Sequence, residues 1–309
     1  MTLTELRYIV TLAQEQHFGR AAERCHVSQP TLSVGVKKLE DELGVLIFER
    51  SKSAVRLTPV GEGIVTQAQK VLEQAQGIRE LAQAGKNQLA APLKIGAIYT
   101  VGPYLFPHLI PQLHRVAPEM PLYIEENFTH VLRDKLRTGE LDAIIIALPF
   151  QEADVLTKPL YDEPFFVLMP ANHPWTAKKN IDAALLNDKS LLLLGEGHCF
   201  RDQVLEACPA TRKTEENKHT TIESSSLETI RHMVASGLGI SVLPLSAVES
   251  HHYARGIIEV RPLTPPVPFR TVAIAWRASF PRPKAIELLA DSIRLCSVAA
   301  RPQGEALPA

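Results

Sequence analysis

The chain has little surplus charge: 33 Lys and Arg stand against 34 Asp and Glu in 309 residues, a formal net charge of −1. No overall basic field marks a polyanionic partner, so any nucleic-acid contact must come from local placement of charge. No run of about 18 apolar residues occurs, which leaves no candidate membrane span. The segment 1–7 lacks the basic and apolar regions of a secretion signal, so a cytoplasmic location is expected. Cysteine occurs only at Cys25, Cys199, Cys208 and Cys296. In a cytosolic chain stable structural disulfides are rare, and transient ones are redox-active. His251-His252 has no Cys or acidic cluster at ligand spacing, so neither a metal nor another cofactor is expected. Apolar residues are plentiful at 45%, and the length suggests two or three domains.

Residues 1–58 read as a winged helix-turn-helix. Leu6, Val10 and Ala13 line a first helix, and Phe18 to Cys25 form a second, with Cys25 on its core face. Ser28 is the expected N-cap of a third helix, with Pro30 tolerated in its first turn. Leu32, Val36, Leu39 and Leu43 are its core face, and Gln29, Thr31, Ser33 and Lys37 its other side. From Cys25 to Leu39 there is no Asp or Glu. A helix seated in the major groove needs such a face, with early residues at base edges and a basic residue near phosphate. Residues 45–57 read as a two-stranded wing whose Arg50, Lys52 and Arg56 would meet backbone phosphates. A small helical protein-interaction domain shares this pattern, but the placement of charge favours double-stranded DNA.

Thr58-Pro59 reads as a helix start. Ile64, Ala68, Val71, Ala75, Ile78 and Ala82 then repeat at alternating steps of four and three. That is a heptad seam, expected to be buried against a second copy of the chain. Gly85 and Pro92 end this linker, assigned to 59–91.

From Pro92 onward strand and helix patterns alternate, as in an α/β regulatory domain of two lobes. Residues 92–162 and 268–301 are assigned to the first lobe, 163–267 to the second, and 302–309 to a tail. Residues 142–147 form a nearly continuous apolar run, as in a strand covered on both faces. Thr100 and Thr129 each follow a strand, at a strand-to-helix junction where a hydroxyl is suited to capping a helix.

His198 to Cys208 (His-Cys-Phe-Arg-Asp-Gln-Val-Leu-Glu-Ala-Cys) reads as one helix with a cysteine at each end. Nine steps of about 1.5 Å separate the two Cα atoms by roughly 13 Å, whereas a disulfide needs about 4.4–6.8 Å. If the two thiols pair, the helix must break. Two unpaired core thiols are the other reading, and spacing alone leaves both open. Gly195 and Gly197 place Cys199 at a loop-to-helix junction, where the helix N-terminus favours a thiolate. His198 and Arg201 offer further positive charge or hydrogen bonds.

Phe18 to Leu57, with Ala21-Ala22, Ser28-Gln29-Pro30-Thr31-Leu32-Ser33, Ile47-Phe48-Glu49-Arg50 and then Thr58-Pro59 and Gly61, closely resembles the LysR-type transcription regulators. Gly197-His198-Cys199-Phe200-Arg201-Asp202-Gln203 followed by Cys208 resembles the peroxide-sensing branch of that family. The resemblance implies a periplasmic-binding-protein-like regulatory domain and promoter DNA bound through Ser28, Gln29, Pro30, Thr31, Ser33, Lys37, Arg50, Lys52 and Arg56. It further implies a homotetramer working with RNA polymerase rather than an enzyme. It assigns Cys199 as the thiol that peroxide oxidises and Cys208 as the one that resolves it to a disulfide. Thr100, Thr129, His198 and Asp202 would hold the hydrogen peroxide. Two rivals differ in class. An ordinary LysR-type regulator would hold a small organic anion with Thr100, Ser225 and Ser226. A thiol peroxidase would need no helix-turn-helix and would have use for a Cys-x-x-Cys pair, which is absent.

Overall fold

A computed structural model describes residues 1–50, 55–84, 88–186, 191–208, 223–249 and 256–296. Lys52, His251-His252 and the tail lie outside them, and of Arg50 only the backbone is described. The chain divides into two compact units, the first formed chiefly by Met1–Gln88.

In the first unit, helix α1 (Leu3–Glu15) opens with a capping box in which Thr2 and Glu5 satisfy each other's backbone N–H. Helices α2 (Phe18–Arg24) and α3 (Gln29–Leu43) follow. Ser28 caps α3 by accepting from the Thr31 N–H at 3.3 Å, and Pro30 sits where no intrahelical donor is required. Ile9, Leu12, Ala21, Leu32, Val36 and Leu39 are fully buried together. Leu43, expected in that core, is instead exposed. One turn back, Glu40 is buried, because its carboxylate accepts from the N–H groups of Ile47 at 2.9 Å and Phe48 at 3.1 Å. Strands β1 (Phe48–Arg50) and β2 (Val55–Leu57) pair antiparallel as the expected wing. Cys25 is half-buried at the end of α2.

Helix α4 (Pro59–Ala84) has 26 residues, a length of roughly 39 Å. Its start packs tightly on the wing: a Cβ at Gly61 would lie 2.1 Å from the Ile47 carbonyl oxygen, so only glycine fits. The seam assigned to this helix behaves differently along its length. Ile64 and Ala68, joined by Val65 and Leu72, pack into the core beneath α1. Val71 and Ile78 are exposed. The chain itself therefore covers the first part of the stripe, and only the later residues remain for a partner.

The second unit is a mixed sheet. Strands β3 (Leu93–Ile98), β4 (Leu122–Asn127) and β5 (Ala143–Ala147) are parallel, and β5 lies antiparallel to β11 (Phe269–Arg277). The long β6 (Val155–Pro170) first pairs with β11; from Phe165 it pairs with β9 (Ile240–Pro244) and with β10 (Ile258–Pro262). Beyond β9 come β7 (Leu191–Leu194) and β8 (Glu223–Ser224), both parallel. Helices α5 (Gly102–Val116), α6 (Thr129–Arg137), α7 (Cys199–Ala207), α8 (Leu227–Ala235), α9 (Leu245–Glu249) and α10 (Pro283–Arg294), with short 3-10 helices at Pro174–Ala177 and Ala183–Leu185, complete the described part. Every residue of β5 is buried, as its unbroken apolar run requires. Cys296 is buried, as expected.

Candidate functional site

Helix α7 is held by what its sequence buries. Phe200, Val204 and Leu205 enter the core of β7, β9 and α8. The Arg201 guanidinium donates to the Leu194 carbonyl at 2.7 Å, and Gln203 donates to the Leu148 carbonyl at 3.1 Å. Gly197, with φ +92°, makes the turn into His198 in a backbone region that other residues rarely adopt. Cys199 is the first helical residue and Cys208 the C-cap. Both are free thiols, the first half-buried and the second fully buried. The intact helix keeps their Cα atoms roughly 13 Å apart, so the bonded state requires another backbone.

Three chain segments converge in front of Cys199. The ends of β3 (Ile98, Tyr99, Thr100) and β4 (Asn127, Phe128, Thr129) join Gly197 and His198 around a cavity of about 10 Å³, room for about one water-sized molecule. Thr129 Oγ1 is buried and has no hydrogen-bond partner. Thr100 Oγ1 accepts from Arg270 at 2.8 Å, which leaves its own proton free to donate. Neither hydroxyl caps a helix: no side chain caps α5, and Thr129 is already inside α6. Asp202 is not brought in. It is exposed in the first turn of α7 and does not line the cavity. Ser226 is committed to capping α8, accepting from the Thr229 N–H at 3.1 Å.

His198 is buried, and burial pushes its pKa below the ordinary histidine value despite an opposing hydrogen bond to the Ser225 backbone. It is therefore a neutral hydrogen-bonding ring at pH 7 rather than the positive charge its position suggested. Arg201 is likewise committed to a carbonyl. Burial also pushes the Cys208 thiol up from 9.0 to about 11. The folded chain thus holds a proton that the unfolded chain releases. Stability from this group is complete below pH 9 and is lost as pH rises toward 11. Denaturant titrations of the reduced protein should show that decline, and Cys208→Ser should flatten part of it; an identical slope in both proteins contradicts the assignment.

Behind Thr100 lies a buried ion pair that sequence reasoning missed. Arg270 Nε donates to Glu163 at 2.7 Å, its Nη2 to the Thr100 carbonyl at 2.8 Å, and its guanidinium lies 5.1 Å from the Phe200 ring centroid. The second Glu163 oxygen accepts from the Ser246 N–H at 2.9 Å. One cluster therefore fixes Thr100, the ring next to Cys199 and the start of α9. Its two charges are 107 residues apart, and no local pattern reveals such a pair.

In the first unit Ser28, Gln29, Pro30, Thr31 and Lys37 are exposed along one stretch of α3, Ser33 is half-buried, and Arg56 is exposed on the wing. The family model for a bacterial regulatory helix-turn-helix protein of the lysR family matches residues 3–62, and that for a LysR substrate binding domain matches 86–295. The chain belongs to the LysR family. A hydrogen peroxide-inducible genes activator of Escherichia coli O157:H7 is 41% identical over 294 residues, 95% of either chain. A solved LysR-family relative, a full-length OxyR variant from Pseudomonas aeruginosa, is 88% identical with a TM-score of 0.84, covering 100% of this chain and 99% of its own. A hydrogen-peroxide-bound OxyR mutant from Corynebacterium glutamicum is 31% identical with a TM-score of 0.65, covering 99% and 98%. No helix among the described residues is long and apolar enough to cross a membrane, and no described group of His, Cys, Asp and Glu could hold a metal ion.

Proposed function

We propose that the protein is a hydrogen-peroxide-sensing transcription regulator of antioxidant genes, switched at Cys199. The Cys199 thiol gives up its proton, and the thiolate attacks one peroxide oxygen. The O–O bond breaks, the departing hydroxide takes up that proton and leaves as water, and a sulfenic acid remains. Helix α7 then opens, and Cys208 condenses with the sulfenic acid to give a reversible disulfide and a second water. Residues 1–58 read promoter DNA, with Gln29, Thr31 and Ser33 toward bases and Lys37, Arg50, Lys52 and Arg56 toward phosphates. Residues 59–91 link them to the regulatory lobes, 92–162 with 268–301 and 163–267. The active species is a cytoplasmic homotetramer that changes its DNA footprint and its contact with RNA polymerase; it is not an enzyme.

One observation carries this reading: a buried Thr129 hydroxyl without a partner stands beside Cys199 over a cavity of about 10 Å³. Buried hydroxyls are almost always hydrogen-bonded. A molecule that both donates and accepts, and is scarcely larger than water, satisfies Thr100 and Thr129 together. Room for about one water-sized molecule favours hydrogen peroxide over a larger organic anion. Mass spectrometry after a brief hydrogen peroxide pulse should find a 199–208 cross-linked peptide absent beforehand, with footprinting on promoter DNA changing in parallel. A protein whose footprint changes without the cross-link overturns the proposal.

A further inference from the structure

Three of the residues that line the cavity before Cys199 carry rings, and these rings touch one another. Tyr99 at the end of β3 meets Phe128 edge-on, with centroids 5.3 Å apart. Phe128 lies 4.7 Å from the His198 ring and stacks on His130 at 5.7 Å. Tyr99 and His198 complete the triangle at 6.1 Å. Phe128 is the shared member. Its backbone N–H donates to its neighbour's Asn127 Oδ1 at 2.9 Å, and its ring would lie 3.5 Å from a Cβ at Gly197. The rim is thus drawn from both strand ends and from the loop that carries the thiol, with the Phe128 ring within van der Waals reach of Gly197.

We infer that Phe128, backed by Tyr99 and His198, is a size filter that admits hydrogen peroxide to Cys199 and rejects alkyl hydroperoxides. The inference rests on Cys199 being the peroxide-reactive thiol. For either oxidant the chemistry is the same. The Cys199 sulfur bonds to one peroxide oxygen and gives up two electrons, and the O–O bond breaks. The other oxygen leaves with a proton as water or as the alcohol. Only the group carried on that leaving oxygen differs. A pocket discriminates by roughly tenfold or more for each unaccommodated carbon, and Phe128 is the largest apolar side chain lining the small cavity in front of Cys199.

The test uses the full-length reduced protein and compares second-order rate constants for Cys199 oxidation by hydrogen peroxide and by tert-butyl hydroperoxide. The unsubstituted protein should strongly prefer hydrogen peroxide. In Phe128→Ala the preference should shrink by about tenfold or more; in Phe128→Leu it should shrink less, and Phe128→Trp should retain it. Because the readout is a ratio within one protein, a general loss of reactivity does not mimic the effect. Folded Ala and Leu variants with an unchanged ratio overturn the filter, as does an unsubstituted protein that reacts equally with both oxidants. An unsubstituted protein whose Cys199 is not oxidised by hydrogen peroxide overturns the underlying reading instead.

Discussion

Peroxide consumption by the Cys199→Ser protein should fall to the rate of buffer alone, while Cys208→Ser should consume one equivalent and retain a lasting sulfenic acid. The difference follows from the two positions. Cys199 is half-buried and lines the cavity, whereas Cys208 is fully buried at the far end of α7 with its thiol held protonated. A protonated, water-excluded thiol is a poor first nucleophile, and a serine hydroxyl in place of Cys199 is no better. The second step requires α7 to unwind, which withdraws Phe200, Val204 and Leu205 from the core at roughly 1.5–3 kcal/mol per side chain. The disulfide must outweigh that loss, so the oxidised form should revert readily to the helical one under reducing conditions. Trapping with a sulfenic-acid reagent and mass spectrometry distinguish the two variants. Rapid peroxide reaction by Cys199→Ser, or disulfide formation without any change in helical content, would contradict this order of events.

Removing one partner of the Glu163–Arg270 pair should cost about 3–5 kcal/mol, because the other charge is left buried and uncompensated. For a unit of this size that corresponds to a midpoint lowered by roughly 6–20 °C. Glu163→Ala should show the full loss in differential scanning calorimetry. Glu163→Gln should lose less, since an amide oxygen still accepts from Arg270 or from the Ser246 N–H. Arg270→Ala should carry an additional defect, because Thr100 loses the donor that orients its hydroxyl. Its Cys199 oxidation by peroxide should slow more than that of Glu163→Ala at equal fractions folded. Midpoints within about 2 °C of the unsubstituted protein for both alanine variants would mean that the pair contributes nothing net.

The seam of α4 shows how a correct pattern leads to an incomplete assignment. Its four-and-three spacing is real, yet periodicity marks only which face is apolar. Ile64 and Ala68 lie against α1 of the same chain, and Val71 and Ile78 do not. Leu43 illustrates the converse: it falls on the apolar period of α3 but is exposed, while the acidic Glu40 is buried because two backbone donors await it.

By itself the sequence determined the elements whose causes are local. These are the Ser28 cap, the wing, the all-apolar β5 and a single helix with a thiol at each end. It also marked Thr100 and Thr129 as strand-end hydroxyls, leaving open whether they cap helices. Only the tertiary structure decided that neither caps, that His198 is a buried neutral ring and that Asp202 stays outside the cavity. It alone brought Arg270 to Glu163 and set Phe128 on the same cavity as Cys199. Caps, turns and periodicity depend on neighbours a few residues away, whereas burial, pKa and cavity shape depend on groups that the chain brings together from a hundred residues apart.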